Sequence, residues 1–348
     1  MEKIAAEKLI SELYEHVLER QPTAAEYATW VEQLVSGLPP ERAVSAFFRS
    51  KEFQTKKEKK GVDSTFPMGH FYSPVVDPGS VRNYVDRERQ LRPEQIAGIP
   101  LDIESMRNIW LRNLPFIQSS PFTDKQNGDN RYYYTMGYFP PGDAITLRMM
   151  IGNYKPKRII EIGSGSSSAC MLDAAEHAAL HDFSLTCIEP FPDRLRALLR
   201  ESDRGSTTII ERQVQDVPSA IVNDLEPNDI LFIDSTHVLK TGSDVHYELF
   251  HLLPLIKPGV IVHFHDILYP FEYHDQWIFE KNFSWNEAYA LRAFLMYNTD
   301  FRVLFWNPLF ALSFASSIRD EFPIFLTNPG GSIWLERSTS RASAMKPP

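Results

Sequence analysis

The stretch KRIIEIGSGSSSACMLDAAEHAAL, residues 157–180, decides how the rest of the chain is read. Its first part is a short β-branched run that breaks at Gly163-Ser164-Gly165-Ser166, and its last part, ACMLDAAEHAAL, is helical in pattern. Glycines between a buried strand and a helix let the backbone approach a ligand that a Cβ would exclude. The helix that follows presents free N–H groups to polar or anionic ligand atoms. Glu189, 26 residues after Gly163, closes the next run, FSLTCIEP. A carboxylate at that strand end is placed to accept both ribose hydroxyls of a nucleoside. The loop reads GSGSSS, without the longer GxGxxG spacing of a dinucleotide site.

Downstream the alternation continues. STTIIER, DILFID, GVIVHFHD, FRVLFW and SIWLER read as strands, and DRLRALLRE, VPSAIVNDL, TGSDVHYELFHLL and WNEAYALRAFLMYN as helices between them. Regular βα alternation predicts an α/β fold: a Rossmann-like, seven-stranded, mostly parallel sheet with helices on both faces. Upstream, Gly142-Asp143 opens a stretch carrying Ile145, Leu147, Met149, Met150 and Ile151, expected as an amphipathic helix.

The N-terminal part has a different rhythm. Ile10, Leu13, Tyr14, Val17 and Leu18 follow the spacing of one buried helical face. After Pro22, Thr23 and Glu26 have the spacing of a capping box, and Tyr27, Trp30, Val31, Leu34 and Val35 repeat the apolar pattern. Gly37-Leu38-Pro39-Pro40 ends that helix, and a third begins near Glu41 with Val44, Phe47 and Phe48 inward. The expected organisation is a small all-α module at 1–60, a connector or lid region at 61–140, an α/β domain at 141–338 and a disordered tail at 339–348. In the connector, His70, Tyr72, Tyr133 and Tyr134 are candidates for a lid.

Composition narrows the class. The 348 residues are 43% hydrophobic and 23% charged, enough to build a core. A net charge of −9 argues against sequence-independent binding to nucleic acid or anionic lipid. Cys170 and Cys187, the two cysteines, cannot make a disulfide framework. The N-terminus lacks the apolar stretch of a signal peptide, and no run approaches the ~20 apolar residues of a membrane span. The chain reads as cytoplasmic, with a small-molecule or glycan partner; the helical module offers a surface for self-association or a protein partner.

Chemistry-bearing residues collect at two neighbouring strand ends. The fourth strand ends in Asp234-Ser235-Thr236-His237 and the fifth in His263-Phe264-His265-Asp266. In a parallel sheet the carboxyl ends of the strands face the ligand crevice, and period-two geometry puts His263 and His265 on one face. Such a cluster is hard to explain as core filling. HDILYPFEYHDQW, residues 265–277, follows directly and is placed to contact a substrate. Asp244 reads as a first-turn acid, His246 and His251 as helix-face residues, and Asn286 and Glu287 fall near the site.

EIGSGSSS (161–168), with the order of elements around it, resembles the first motif of class I S-adenosylmethionine-dependent methyltransferases over about residues 140–337. The resemblance implies that Glu161, Gly163 and Gly165 line the methionine part of the cofactor, with Ser164 also binding it, that Glu189 holds the ribose, and that Gln215 and Asp216 lie near the adenine. The Asp234-x-x-His237 spacing is similar to metal-dependent sugar O-methyltransferases of the macrolide-tailoring type. Carried over, Asp234, His265 and Asp266 would hold a divalent metal and His237 would be the general base, with Asp234 beside it. The sequence departs from that family at His265, where the family has a carboxylate. A mixed N/O set favours Mn²⁺, Fe²⁺ or Zn²⁺ over Mg²⁺ and leaves open that no metal binds. The expected reaction is methyl transfer to a hydroxyl on a sugar or glycosylated acceptor. Two alternatives stand: a cofactor-binding, non-catalytic scaffold, and an iron oxygenase built on His263, His265 and a carboxylate. LYEHVLERQPTAAEYATWVEQLVSG with AVSAFFRSKEF resembles a bacterial helical domain of unknown function related to phycobilisome linker modules, over roughly the first 55 residues. Such modules often accompany enzymes of surface-sugar assembly.

Overall fold

The computed structural model describes residues 3–18, 20–52, 66–92 and 96–338. The tail expected to be disordered at 339–348 lies outside the described residues. Contacts divide the chain into two units, Met1–Asp77 and Pro78–Pro348.

In the first unit, α1 (Lys3–Glu12) runs into a wider turn, Leu13–Val17, and is followed by α2 (Ala24–Val35) and α3 (Pro40–Arg49). The capping box forms: Thr23 Oγ1 accepts from the Glu26 backbone at 3.3 Å, and the Thr23 backbone donates to Glu26 Oε2 at 2.8 Å. Arg20 reinforces this end by donating to Glu52 at 2.6 Å and Glu26 at 2.7 Å. Ile10, Leu13, Tyr14, Leu18, Val31, Leu34 and Phe47 form a core of the unit's own. Val35 departs from the expected face. It is 46% exposed, because it sits one residue, or about 100° of helix, beyond the buried Leu34. The Phe48 side chain lies outside the described residues.

The second unit opens with α4 (Pro78–Glu88), α5 (Ile103–Gln118) and α6 (Pro141–Tyr154). The connector is thus more helical than its weak periodicity suggests. It is anchored by Arg131, whose buried guanidinium is paired with Asp173 at 2.6 Å and Asp203 at 2.5 Å. Tyr132, Tyr134 and Phe139 are core residues. Of the four lid candidates, His70 and Tyr72 belong to the first unit, where His70 stacks with Phe66 and Phe71 and Tyr72 lies edge-on to Phe66. Helix α6 is not amphipathic. Every residue from Gly142 to Ile151 is buried, because α5, the helix after β1 and the turn Pro323–Thr327 pack around it.

The sheet comprises β1 (Arg158–Ile162), β2 (Ser184–Ile188), β3 (Thr207–Ile210), β4 (Ile230–Ile233), β5 (Ile261–Phe264), β6 (Phe301–Trp306) and β7 (Ile333–Arg337). Their order is β3-β2-β1-β4-β5-β7-β6, with β7 antiparallel to both neighbours. This is the expected Rossmann-like, mostly parallel arrangement. The order reverses between β1 and β4, which opens a crevice at their carboxyl ends. The helices α7 (Ser166–His177), α8 (Asp193–Leu198), α9 (Asp244–Tyr247, continued by the turn Glu248–Leu252) and α10 (Glu287–Leu295) match the expected runs. A further helix, α11 (Asn307–Glu321), was not foreseen between β6 and β7; it buries Leu309, Phe310 and Ile318. No helix among the described residues is long and apolar enough to cross a membrane.

Candidate active site

The glycine loop is built as the sequence requires. Gly163 has φ +79°, and a Cβ there would collide with the carbonyl of Asp234, so the end of β1 lies directly against the end of β4. Glu161 is fully buried and turned behind the loop. It accepts from Ser167 and Ser168, each at 2.5 Å, and from the Cys187 thiol at 3.3 Å. Burial pushes its carboxyl up to about 7, against the downward pull of those three donors. Glu189 faces the crevice, with Oε2 accepting from the Ser164 backbone at 3.2 Å and Oε1 from the Phe191 backbone at 2.8 Å.

These groups border a cavity of about 470 Å³ lined by Gly163, Glu189, Phe191, Gln215, Asp234 and Asp244. Of the expected cofactor residues, Gly163, Glu189, Gln215 and Asp234 therefore line one space. Glu161 does not: its carboxylate braces the loop from behind. Ser164 and Gly165 shape the loop without lining the space, and Asp216 is exposed. Two buried acceptors near the cavity, Ser164 Oγ and Gln215 Oε1, have no hydrogen-bond partner. A nucleoside-bearing ligand carries donors for such atoms, and the loop leaves room where a Cβ would block it. The residues present thus fit that class of ligand.

Beyond Asp234 lies a cluster of alternating charge. His237 Nε2 is 3.7 Å from Asp234 and 3.5 Å from Asp266, and its Nδ1 bonds Glu287 at 2.8 Å. His265 Nδ1 is 3.4 Å from Asp234 and 3.5 Å from Asp266, while its Nε2 bonds Asp143 at 3.0 Å. Burial opposes charge on His237, but the bond to Glu287 and the neighbouring carboxylates outweigh it, holding the imidazole up to about 9. Burial likewise opposes charge on His265, yet Asp234, Asp266 and Asp143 raise it well above the ordinary range. Burial works to raise Asp234, and the charges of His265 and His237 overcome it, bringing the carboxyl down to about 2.

An ordinary imidazole at position 237 would be poised near neutrality, whereas here it is an ion-paired cation. Asp234, His265 and Asp266, the expected metal-binding residues, do gather, and they stand here as ion pairs. His263 does share a face with His265, with ring centres 5.9 Å apart, but it is stacked on Phe232 at 3.7 Å and bonded to Ser332 at 2.9 Å. Burial holds it neutral.

Two residues carry more than sequence reasoning assigned them. Asp143, read only as a helix opening, is a fully buried carboxylate that accepts from His265, Asn307 at 2.9 Å, the Gly331 backbone at 3.2 Å and the Ser332 backbone at 3.0 Å. Glu287, placed near the site, is the direct partner of His237. Asn286 fastens the same turn: its side chain accepts from the Leu239 backbone at 2.6 Å and its backbone donates to the His237 carbonyl at 3.1 Å. That clamp holds His237 at φ +62°, a conformation uncommon outside glycine. Asp244, the first-turn acid, accepts from the Thr236 hydroxyl at 2.6 Å. No local pattern announces the Asp143 or Glu287 pairings, because both partners arrive from distant elements.

On the far side of the ion pairs is a second cavity, of about 460 Å³, lined by Tyr134, Tyr138, Phe139, His265, Asp266 and Trp277 among others. The segment 265–277 contributes to it, as its position after β5 implied.

Residues 160–267 match a family model described as a methyltransferase domain, and residues 2–57 match one described as a domain of unknown function (DUF4214). An uncharacterized protein from Archaeoglobus fulgidus is 32% identical over 191 residues, covering 51% of this chain and 81% of that protein. Among solved structures, the SAH-bound methyltransferase PaMTH1 of Podospora anserina is similar with a TM-score of 0.38 and 14% identity, over 75% of this chain and 94% of that one. The O-methyltransferase TomG of Streptomyces achromogenes, in complex with SAM, has a TM-score of 0.36 and 13% identity, over 76% and 100%. The O-methyltransferase of Bacillus cereus, in complex with SAH, has a TM-score of 0.36 and 11% identity, over 75% and 100%. At that distance these likenesses add nothing to what the sheet order already establishes.

Proposed function

We propose, from the premise that this chain belongs to one family with the Archaeoglobus fulgidus protein and carries a methyltransferase domain at residues 160–267, that it transfers a methyl group from S-adenosylmethionine to a hydroxyl of a sugar or glycosylated acceptor. One observation carries the reading. The cavity bordered by Gly163 and Glu189 and the aromatic cavity beside Asp266 are separated by the ion pair of Asp234 with His265, at 3.4 Å. A methyl donor in the first and a hydroxyl in the second would meet there.

When bound, S-adenosylmethionine would supply an electrophilic methyl on a sulfonium, for transfer to the acceptor oxygen with S-adenosylhomocysteine leaving and the C–S electron pair staying on sulfur. Glu189 would accept the ribose hydroxyls, and Gln215 Oε1, which has no partner, would accept from the base. Asp234, which lines the same cavity, would offset the sulfonium charge. His237 is the group proposed to receive the acceptor proton at Nε2, with Glu287 fixing its ring through Nδ1. The ion-paired state sets a condition on that role, since His237 must first lose a proton. A cation held near Asp234 lowers the affinity of the imidazole for its own proton, and so favours the basic form. The remaining barrier reduction comes from holding the reacting atoms roughly 3–3.5 Å apart.

The test is calorimetric titration of S-adenosylhomocysteine into the full-length protein, with Glu189→Ala as control. Binding that the substitution weakens supports the reading. Absence of binding to folded, cofactor-free protein overturns it.

A further inference from the structure

The acceptor cavity does not end at its own wall. It shares Leu268, His274, Asn328 and Gly330 with a larger space of about 760 Å³, between the segment Arg89–Arg92 and the start of α11. Each of the two falls in the ~300–1,000 Å³ range of ligand sites taken singly, so in series they exceed what one sugar ring needs. The wall of the larger space is tied together. Tyr269 donates to the Leu91 carbonyl at 2.8 Å, Arg89 donates to Asp275 and to the Tyr273 carbonyl, and Tyr289 donates to Glu272 at 2.6 Å.

Those bonds also set the chemistry of the lining. Arg89 is matched by Asp275, and the second arginine of the lining, Arg92, is balanced in number by Glu272, whose carboxylate accepts from Tyr289, so the wall carries no net charge. Between the charged groups the lining is aromatic: Tyr269 and Tyr273 in the larger part, Tyr138 and Trp277 in the smaller. Ring faces with a few polar groups between them suit the flat apolar faces and hydroxyl edges of neutral sugars. They do not suit a phosphorylated or carboxylated chain, which would need cations to spare.

We propose that the acceptor is a neutral oligosaccharide several rings long, with its terminal ring beside Asp266 and the following rings in the space bordered by Tyr269, Tyr273 and Leu312. This rests on the methyl-transfer reading above and specifies its substrate. Leu312, on α11 and 67% exposed, marks the outer limit of the track and tolerates replacement without disturbing the core.

The test is an array of neutral and anionic glycans of one to six rings, probed with full-length protein saturated with S-adenosylhomocysteine, beside the variant Leu312→Trp. The expected result is at least tenfold greater retention of neutral chains of three or more rings than of single rings. The variant should lose that preference while its affinity for S-adenosylhomocysteine stays within twofold. Equal retention of short and long chains, preference for anionic chains, retention of no glycan, or a length preference that Leu312→Trp leaves intact would each overturn the proposal. Retained S-adenosylhomocysteine binding without length preference refutes only the extended acceptor. Loss of that binding in the unmodified protein refutes the methyl-transfer reading itself.

Discussion

Asp143 and His265, 122 residues apart in the chain, are joined by a 3.0 Å hydrogen bond in the buried floor of the site. The carboxylate also accepts from Asn307, Gly331 and Ser332, so one side chain on α6 ties together the ends of β5, β6 and β7. Asp143→Asn would turn an amide N–H₂ toward donors and remove the negative partner of His265. Breaking a buried pair of this kind costs about 3–5 kcal/mol. We expect a loss of about 3 kcal/mol in denaturant unfolding, together with a lower His265 pKa by NMR titration. An unchanged midpoint would show that Asp143 is not the hinge of the floor.

His237 carries a pH signature. Its pKa in the folded chain, about 9, lies above the ordinary 6.5, because the Glu287 bond and the charges of Glu287, Asp266 and Asp234 together outweigh burial. Stability from this group is fully present below pH 6.5 and is lost as pH rises through 9. The difference corresponds to about 3 kcal/mol. Glu287→Gln should flatten that segment of the stability curve and, in a methyl-transfer assay, move the rising limb of the rate toward lower pH. A profile that the substitution leaves in place would contradict the pairing.

Glu161 predicts the opposite kind of experiment. Burial raises its carboxyl to about 7 from an ordinary value of 4.5. The native state therefore keeps a proton that the unfolded chain releases, and stability falls between pH 4.5 and 7 on its account. Glu161→Gln should remove this slope and cost no more than about 1 kcal/mol at pH 8, because an amide replaces a carboxylate that is unfavourable there. A loss of several kcal/mol at that pH would mean the ionised form is needed.

Gly163→Ala should abolish S-adenosylhomocysteine binding, since the new Cβ would strike the Asp234 carbonyl and distort the junction of β1 and β4. Glu189→Ala should weaken binding at least tenfold with a melting temperature changed by no more than about 2 °C, because its carboxylate bonds only two backbone groups of the crevice rim. Loss of folding in the second variant would spoil the separation of binding from structure.

Because Asp234 and Asp266 are paired with imidazolium groups, prolonged dialysis against a chelator should leave activity and melting temperature unchanged. A melting temperature raised by more than about 4 °C on adding Mn²⁺ or Mg²⁺ would show that a metal displaces the ion pairs.

What was legible beforehand, and what was not, follows from how far apart the contributing residues lie. Strand, loop and helix at 157–180 are set by local periodicity and by glycines whose backbone angles exclude other residues, so the α/β alternation and the position of the crevice were readable directly. Asp234, His237, His265 and Asp266 were readable too, because strand ends in a parallel sheet converge on one edge. The all-round burial of α6 was not, since its polar residues Asp143, Thr146 and Arg148 mimic an exposed face until α5 and α7 are packed on it. Nor was α11, whose apolar residues give no clean stripe across the bend at Phe314.

The sequence by itself determined which side chains of the site could bear charge and that β4 and β5 would bring them near one another. Only the tertiary structure decided their protonation. Asp143 and Glu287 approach the two histidines from other elements and hold both as buried cations between carboxylates, and an ion pair made across such a separation leaves no periodic trace in the chain.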